Sequence, residues 1–478
     1  MTSLKHITKP ALTDNTVLIG NAKTDFGKFG LTADELAFVK KQIAAEERII
    51  AVNQYKRRVI VYIGETKKAA YLTLEAYRKA GNRVCGMLNG AKIESVNIVD
   101  ITGNKENTLA FAEGMALGNY QFLVHRSDAK KAANTLQTIN ISAKNLRDTE
   151  VARLQIIVDA TIKARTLVNE PVNYLNAEQL AEEFQKMGKE TGFKVEVFNK
   201  AKITSLKMGG LLAVNRGSID PPTFTIMEWK PNRAKNKKPY VLVGKGVVYD
   251  TGGLSLKPTP NSMDEMKCDM AGAAAVGCTI YALAKANVPV HVIGLVPATD
   301  NRPGMNAYVP GDILTMHNGM TVEMLNADAE GRLILADALS YAKKYEPELA
   351  IDLATLTGAA MAAIGKYGIV SMGTADKRKV DALKRSGENV YERLVEFPFW
   401  DEYAELLKTE IADMKNIGGP IAGAITAGKF LEKFTSYPWV HFDIAGPAFI
   451  NGPYDYRPKG GTGVGVRLLF DFLSNVSR

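Results

Sequence analysis

The sequence predicts an α/β protein of two domains: a smaller N-terminal α/β domain and a larger α/β domain with a mixed central sheet flanked by helices. Three observations support this. The chain has 478 residues, more than one ordinary hydrophobic core organises. Its composition, 46% hydrophobic and 23% charged, is that of a globular protein. Short β-branched runs alternate with stretches of helical period.

In the N-terminal part, VIVYIG (59–64) and SVNIVDI (95–101) read as strands. KKAAYLTLEAYRKAG (67–81) reads as a helical stretch, and FAEGMALGNYQF (111–122) as a helix weakened by two glycines. A long helical period over 147–167 ends at NEP (169–171), since proline disfavours helix at the residue before it. The domain boundary is placed on that helix, giving an N-terminal domain over 1–150, a linking helix over 151–168 and a second domain over 169–478. There AEQLAEEFQKMGKETG (177–192) reads as a helix closed by glycine, KVEVF (194–198) as a strand, PNRAKNKKP (231–239) as a solvated basic turn and YVLVG (240–244) as a buried strand. The glycine-rich stretch 409–430 reads as buried or inter-subunit.

The balance of 60 basic against 51 acidic residues, net +9, permits a nucleic-acid surface without demanding one. Three cysteines, Cys85, Cys268 and Cys278, form no disulfide framework and suit a reducing compartment. No apolar run reaches about 18 residues, and the first residues lack an apolar signal core, so a cytoplasmic protein without a membrane span is expected. The five histidines (His6, His125, His291, His317, His441) match no HExxH or related spacing.

The stretch VGKGVVYDTGGLSLKP (243–258) sets Lys245, Asp250 and Lys257 among glycines at the end of the strand 240–244. It matches neither the P-loop nor the GxGxxG spacing. Lys245 and Asp250 are an odd interval apart, so in a flat strand they face opposite ways. Gly246, Gly252 and Gly253 supply the freedom to bend the chain until both reach one point. MDEMKCDMAGAAAV (263–276) follows as a small-residue helix that opens acidic, where Asp264 and Glu265 favour the N-terminal dipole. Asp269 stands among Met, Cys and Ala, where a carboxylate must be paired or bind metal.

In NADAEGRLILADAL (326–339), Asp328 and Glu330 are two apart. They share a direction in an extended segment and diverge by about 200° in a helix, so both are placed on a loop ahead of a helix starting near Arg332. An arginine in a first helical turn opposes the macrodipole unless it and the helix N-terminus hold an anion together. If Asp250, Asp269, Asp328 and Glu330 converge, their negative charge needs roughly +4, as two divalent cations supply.

These segments, with PGDILTMHNGM, DLATLTGA and, more weakly, NEPVNYLNAEQLAEE and WVHFDIAGPA, resemble the leucine aminopeptidase family of dinuclear metallopeptidases, of the cytosolic, hexameric kind. The resemblance covers about residues 165–478. It implies a catalytic α/β domain whose metal ligands are Lys245, Asp250, Asp269, Asp328 and Glu330. Asp250 and Glu330 would bridge, Lys245 and Asp269 would complete one site, and Asp328, by side chain and main-chain carbonyl, the other. It implies a catalytic pair, Lys257 and Arg332, with bicarbonate near Arg332 as general base. Met266 and Ala445 would line the side-chain pocket, and Leu356 and Gly358 would offer backbone groups to the substrate. The implied cofactors are two divalent ions, Zn or Mn, with Mg or Co acceptable to carboxylate ligands. The implied partners are peptide substrates with leucine-like N-termini and five further copies of the chain. As a metal ligand, Lys245 requires a depressed pKa, whereas Lys257 stays charged.

Two departures stand out. The segment between Lys257 and Asp269 is one residue longer than the common family spacing, and Ala327 replaces the usual threonine. A rival reading is a catalytically idle hexamer binding DNA through its basic surface. The presence of all seven expected metal-binding and catalytic residues argues against it. A two-metal phosphoesterase is a third reading, disfavoured by the lysine in the ligand set.

Overall fold

The computed structural model describes residues 2–476. The chain forms two compact units: one runs through Ile162 and adds Gly452–Lys459, the other takes Lys163–Asn451 and continues from Gly460. The division falls within the helix Asp148–Asn169. Among the described residues no helix is long and apolar enough to cross a membrane.

The first unit is built on β1 (Ser3–His6), β2 (Thr16–Gly20), β3 (Ile49–Asn53), β4 (Arg58–Ile63), β5 (Ser95–Asp100) and β6 (Thr138–Ser142), in the order β1-β6-β5-β2-β4-β3. All pairings are parallel except β3 with β4. Strand alternation sends Val17 and Ile19 to one buried cluster and Leu18 to another, so both faces are covered. The helical stretch read around 67–81 runs Ala70–Gly90. Gly81 and Gly114 are contact points between this helix and Lys105–Gly118: a Cβ on Gly81 would lie 2.1 Å from the Phe111 carbonyl, and one on Gly114 1.9 Å from that of Arg78. The glycines that weaken helix propensity here permit helix packing.

The second unit contains β7 (Lys194–Phe198), β8 (Thr223–Trp229), β9 (Tyr240–Gly244), β10 (Gly246–Asp250), β11 (Val292–Asn301), β12 (Ile313–Thr315), β13 (Thr321–Glu323), β14 (Leu349–Ala354), β15 (Ile369–Gly373), β16 (Leu394–Glu396), β17 (Met414–Lys415) and β18 (Trp439–Asp443). The main sheet runs β16-β15-β18-β14-β9-β11-β8-β7, with β10 also pairing β11, and β12, β13 and β17 form a small separate sheet. It is mixed: β18, β14, β9 and β11 are mutually parallel, whereas β8, β7 and β15 introduce antiparallel pairs. Val241, Val243 and Leu295 share one buried cluster with the helix Gly331–Ala342, and the small-residue helix Ala271–Lys285 packs on the same strands. The carboxyl ends of β9, β10, β14 and β18 therefore open at one edge, where parallel sheets offer a ligand crevice.

Of the 409–430 stretch, only the end is a largely buried helix, Gly423–Glu432. Ile411 and Ile421 are exposed.

Candidate metal centre

Lys245 sits between β9 and β10, which run along β11 in one continuous register: β9 pairs Val243 with Leu295 and β10 pairs Gly246 with Ala298. The register shifts once, between Val247 and Asp250. That irregularity changes the alternation and lets Lys245 and Asp250 reach one region despite their odd spacing. Gly252 and Gly253 then turn the chain with φ of 83° and 58°, a region other residues enter at a cost, and bring Lys257 back over Asp250.

Two ammonium groups cross-link the four carboxylates. Lys245, 3% exposed, places Nζ 2.8 Å from Asp269 Oδ2 and 2.9 Å from Glu330 Oε1, and donates to the Thr355 carbonyl at 3.0 Å. Lys257 Nζ lies 2.9 Å from Asp250 Oδ2 and pairs also with Asp328 Oδ1. Asp250, Asp328 and Glu330 each bring one oxygen to within 4.8 Å of the others. Glu330 is 1% exposed, and its Oε2 has no hydrogen-bond partner among the described residues. A buried, unpaired carboxylate oxygen amid two further carboxylates fits a hard divalent cation.

The carboxylates converge by a route different from the one the sequence suggests. Residues 326–329 form a turn, with the Ala329 amide donating to the Asn326 carbonyl at 3.2 Å, and Glu330 is already helical at φ −73°, ψ −36°. The turn, rather than an extended segment, gathers Asp328 and Glu330. The helix begins at Gly331, as the spacing predicts. Asp264 and Glu265 lie in a separate 3₁₀ turn, Met263–Cys268, and not at the start of the helix Ala271–Lys285. The break sets Asp269 just ahead of that helix, where the N-terminal dipole favours its charge.

Burial and like charge dominate the electrostatics. Burial raises the carboxyls of Asp269, Asp328 and Glu330 above the usual range, and the Asp250 charge adds to the rise in each. Burial acts to lower Lys245, but Asp269, Glu330 and Asp250 together outweigh it and hold the ammonium above the ordinary lysine range. At Lys257 burial is likewise outweighed by Asp250, Glu330 and Asp328. The depressed pKa expected of Lys245 is therefore not what its protein neighbours produce by themselves.

Arg332, 7% exposed, donates from Nη1 to the Asn416 carbonyl at 2.7 Å, and its Nε has no partner among the described residues. Burial lowers it to about 10, against the opposing charges of Glu330 and Asp443, so it remains a cation at neutral pH beside the helix N-terminus. Met266 is half-buried in the 3₁₀ turn, Leu356 and Ala445 are half-buried in the turns after β14 and β18, and Gly358 is exposed at the start of the helix Gly358–Ile364. Cys268 is buried, and burial, with the Asp269 charge, pushes its thiol up.

Several supporting residues were not identified from the sequence. Asn301 Nδ2 donates to Asp250 Oδ1 and to the Ala327 carbonyl, each at 2.9 Å; with the Gly252 amide at 2.8 Å, this leaves Asp250 Oδ2 as the oxygen free of amide donors. Thr355 Oγ1 donates to Asp269 Oδ1 at 2.7 Å. Tyr308 donates to the Ala327 carbonyl at 2.9 Å. Asn416 accepts from the Leu325 amide and donates to the Asn326 carbonyl, both at 2.8 Å. None of the five histidines joins the cluster: His441 Nδ1, for instance, lies 2.6 Å from Asp352 in the sheet.

Carboxylates gathered at the carboxyl edge of a mixed α/β sheet, one with a buried unpaired oxygen, form a site suited to divalent cations. Comparison with known proteins identifies the kind. Residues 162–470 match the model of the cytosol aminopeptidase family catalytic domain, and 47–129 that of its N-terminal domain. A probable cytosol aminopeptidase of Chlorobaculum tepidum is 42% identical over 96% of this chain and 93% of its own length. Among solved structures, the bottromycin maturation enzyme BotP in complex with Mn covers 98% of this chain and 100% of its own at 29% identity and TM-score 0.86. A tomato leucine aminopeptidase mutant covers 99% and 97% at 27% identity and TM-score 0.87. The chain belongs to the cytosol aminopeptidase family and is a metal-dependent aminopeptidase; the DNA-binding alternative finds no support in these comparisons.

Proposed function

We propose that this enzyme is a dinuclear leucyl aminopeptidase, releasing leucine-like N-terminal residues from peptides. The observation that carries the reading is the meeting of Asp250, Asp328 and Glu330 oxygens within 4.8 Å, beside the unpaired Glu330 Oε2. Lys245, Asp250, Asp269, Asp328 and Glu330 hold two divalent ions, Zn or Mn by preference and Mg or Co by tolerance. Such ions would supply sites for a substrate's free amine and a water of near-neutral pKa. As a ligand, Lys245 would serve as a neutral amine, giving up the proton that Asp269, Glu330 and Asp250 otherwise stabilise.

The remaining roles belong to the chain itself. Lys257, 14% exposed at its side chain, retains its charge and donates to the oxygen of the scissile carbonyl, where negative charge develops. Arg332 Nε and the helix N-terminus hold a bicarbonate-type anion, which supplies a general base that no histidine of this chain provides. Met266 and Ala445 wall an apolar pocket, and backbone groups of Leu356 and Gly358 orient the substrate. The chemistry belongs to residues 169–478, with 1–150 as a separate domain joined through 151–168. The working form is a cytoplasmic homohexamer.

The test is a Leu-containing tripeptide offered with a free and with an acetylated N-terminus, together with metal analysis of the loaded protein. Free leucine from the first peptide only, with two ions per chain, is expected. Equal cleavage of both peptides, or one ion at saturation, contradicts the reading.

A further inference from the structure

We propose that Asp443 is a positioning residue that sets substrate affinity by locking the two substrate-facing turns to each other. The inference rests on the assignment of Leu356, Gly358 and Ala445 to substrate contact, and adds what holds them in place.

Asp443 closes β18 and is 1% exposed. It aligns with Ala354 at the end of the neighbouring parallel strand β14. Beyond these two positions both strands leave the sheet in turns, and a turn leaving a strand end is free to shift unless it is tied. Asp443 supplies the ties. Its Oδ1 accepts from the Leu356 amide at 3.2 Å and the Ala445 amide at 3.1 Å, and its Oδ2 accepts from Thr357 Oγ1 at 2.7 Å. Thr357 Oγ1 in turn accepts from the Ala360 amide at 3.0 Å and caps the helix Gly358–Ile364. One buried carboxylate thus anchors the Leu356 turn, the helix start carrying Gly358 and the Ala445 turn.

These donors are neutral backbone and hydroxyl groups, so a neutral amide oxygen can replace the carboxylate oxygen as their acceptor. Asp443 also lies within the electrostatic reach of Arg332 and His441, which defines the competing explanation: a counter-charge for the arginine. Asparagine separates the two. Its Oδ1 accepts from both amides, and its Nδ2 meets Thr357 Oγ1, a hydroxyl able to accept. The ties survive and the charge does not.

The experiment measures kcat and KM of the metal-loaded full chain on a Leu-containing peptide, and Mn affinity by competition with a chelator, for wild type, D443N and D443A. D443A is expected to raise KM about tenfold, the worth of one to two lost hydrogen bonds. Its kcat and Mn affinity stay within about threefold of wild type, since the lost contacts act on ground state and transition state alike. D443N is expected to restore KM to within about threefold of wild type. If D443A does not fold, T357V, which removes the Thr357 tie and with it the Ala360 cap, carries the test with a KM rise of about three- to fivefold. A D443N as impaired as D443A, a fall in kcat or in Mn affinity matching the change in KM, or an unchanged KM in the folded variant overturns the proposal. A wild type that releases no leucine at any metal concentration instead overturns the functional reading beneath it.

Discussion

Replacing Lys245 by methionine tests the electrostatics of the centre without relying on catalysis. Lys245 is 3% exposed and its ammonium lies within 3 Å of both Asp269 and Glu330. Removing one partner of a buried ion pair costs about 3–5 kcal/mol, because the other charge stays buried and unpaired. For a unit of about 300 residues, unfolding entropy of about 2 cal/mol/K per residue makes each kcal/mol worth roughly 2 °C. In chelator, K245M should therefore unfold about 5–10 °C below wild type. Divalent cations supply the missing positive charge. At a concentration a hundredfold above its Kd, Mn adds about 2.7 kcal/mol to any form that binds it, or about 5 °C by the same scale. Thermal unfolding of both proteins in chelator and in Mn, followed by circular dichroism, reads these shifts. A K245M protein that melts with wild type in chelator refutes the claim that Lys245 neutralises the buried carboxylates. One whose melting Mn leaves unchanged refutes the claim that these carboxylates bind cations.

Three further outcomes follow from the same geometry. K257A should lower kcat by about 10²–10³, as removal of one oxyanion donor does, while Mn affinity measured by chelator competition stays within about tenfold, the smaller of the effects typical outside the ligand shell. N301A, which frees Asp250 Oδ1 and the Ala327 carbonyl from their shared donor, should weaken Mn binding by about 10–100-fold, read in the same titration. Asp337 is fully buried, and burial raises its carboxyl to about 7 against the hydrogen bonds from Leu211 and His317. Because the folded form holds the proton more tightly than the unfolded chain, this group's contribution falls as pH rises from about 4 to about 7 and is flat above. Between pH 4.5 and 7.5 the stability of D337N, read from its thermal unfolding, should therefore gain on that of wild type by on the order of 4 kcal/mol at most; a gap that does not change with pH speaks against the assignment.

What was legible in the sequence is what is local in the chain. Asp328 and Glu330 lie two residues apart ahead of a strongly periodic segment, so their place before the helix at Gly331 could be read directly. The strand 194–198 and the helix ending at Gly192 were equally plain, because alternation and a left-handed glycine cap are local signals. What escaped is set by partners distant in sequence. Asn301 gains its role from a carboxylate 51 residues away, and Asn416 from a turn 90 residues away. Gly114 looks like a helix breaker until the partner helix is in view. The meeting of Asp328 with Glu330 was expected for an extended segment, yet a turn achieves it, since period alone does not distinguish the two backbones. The 3₁₀ turn ahead of Asp269 was hidden for a related reason: acidic residues before a small-residue run signal a helix start without fixing which turn begins it.

The central claim is that these carboxylates and amines form a cation-dependent peptidase centre. The most direct measurement is hydrolysis of a Leu-containing dipeptide by the full chain as purified, after exhaustive chelation, and after return of Mn or Zn. Activity that vanishes on chelation and returns with either metal is the predicted result. Undiminished hydrolysis by protein shown to be metal-free contradicts the account.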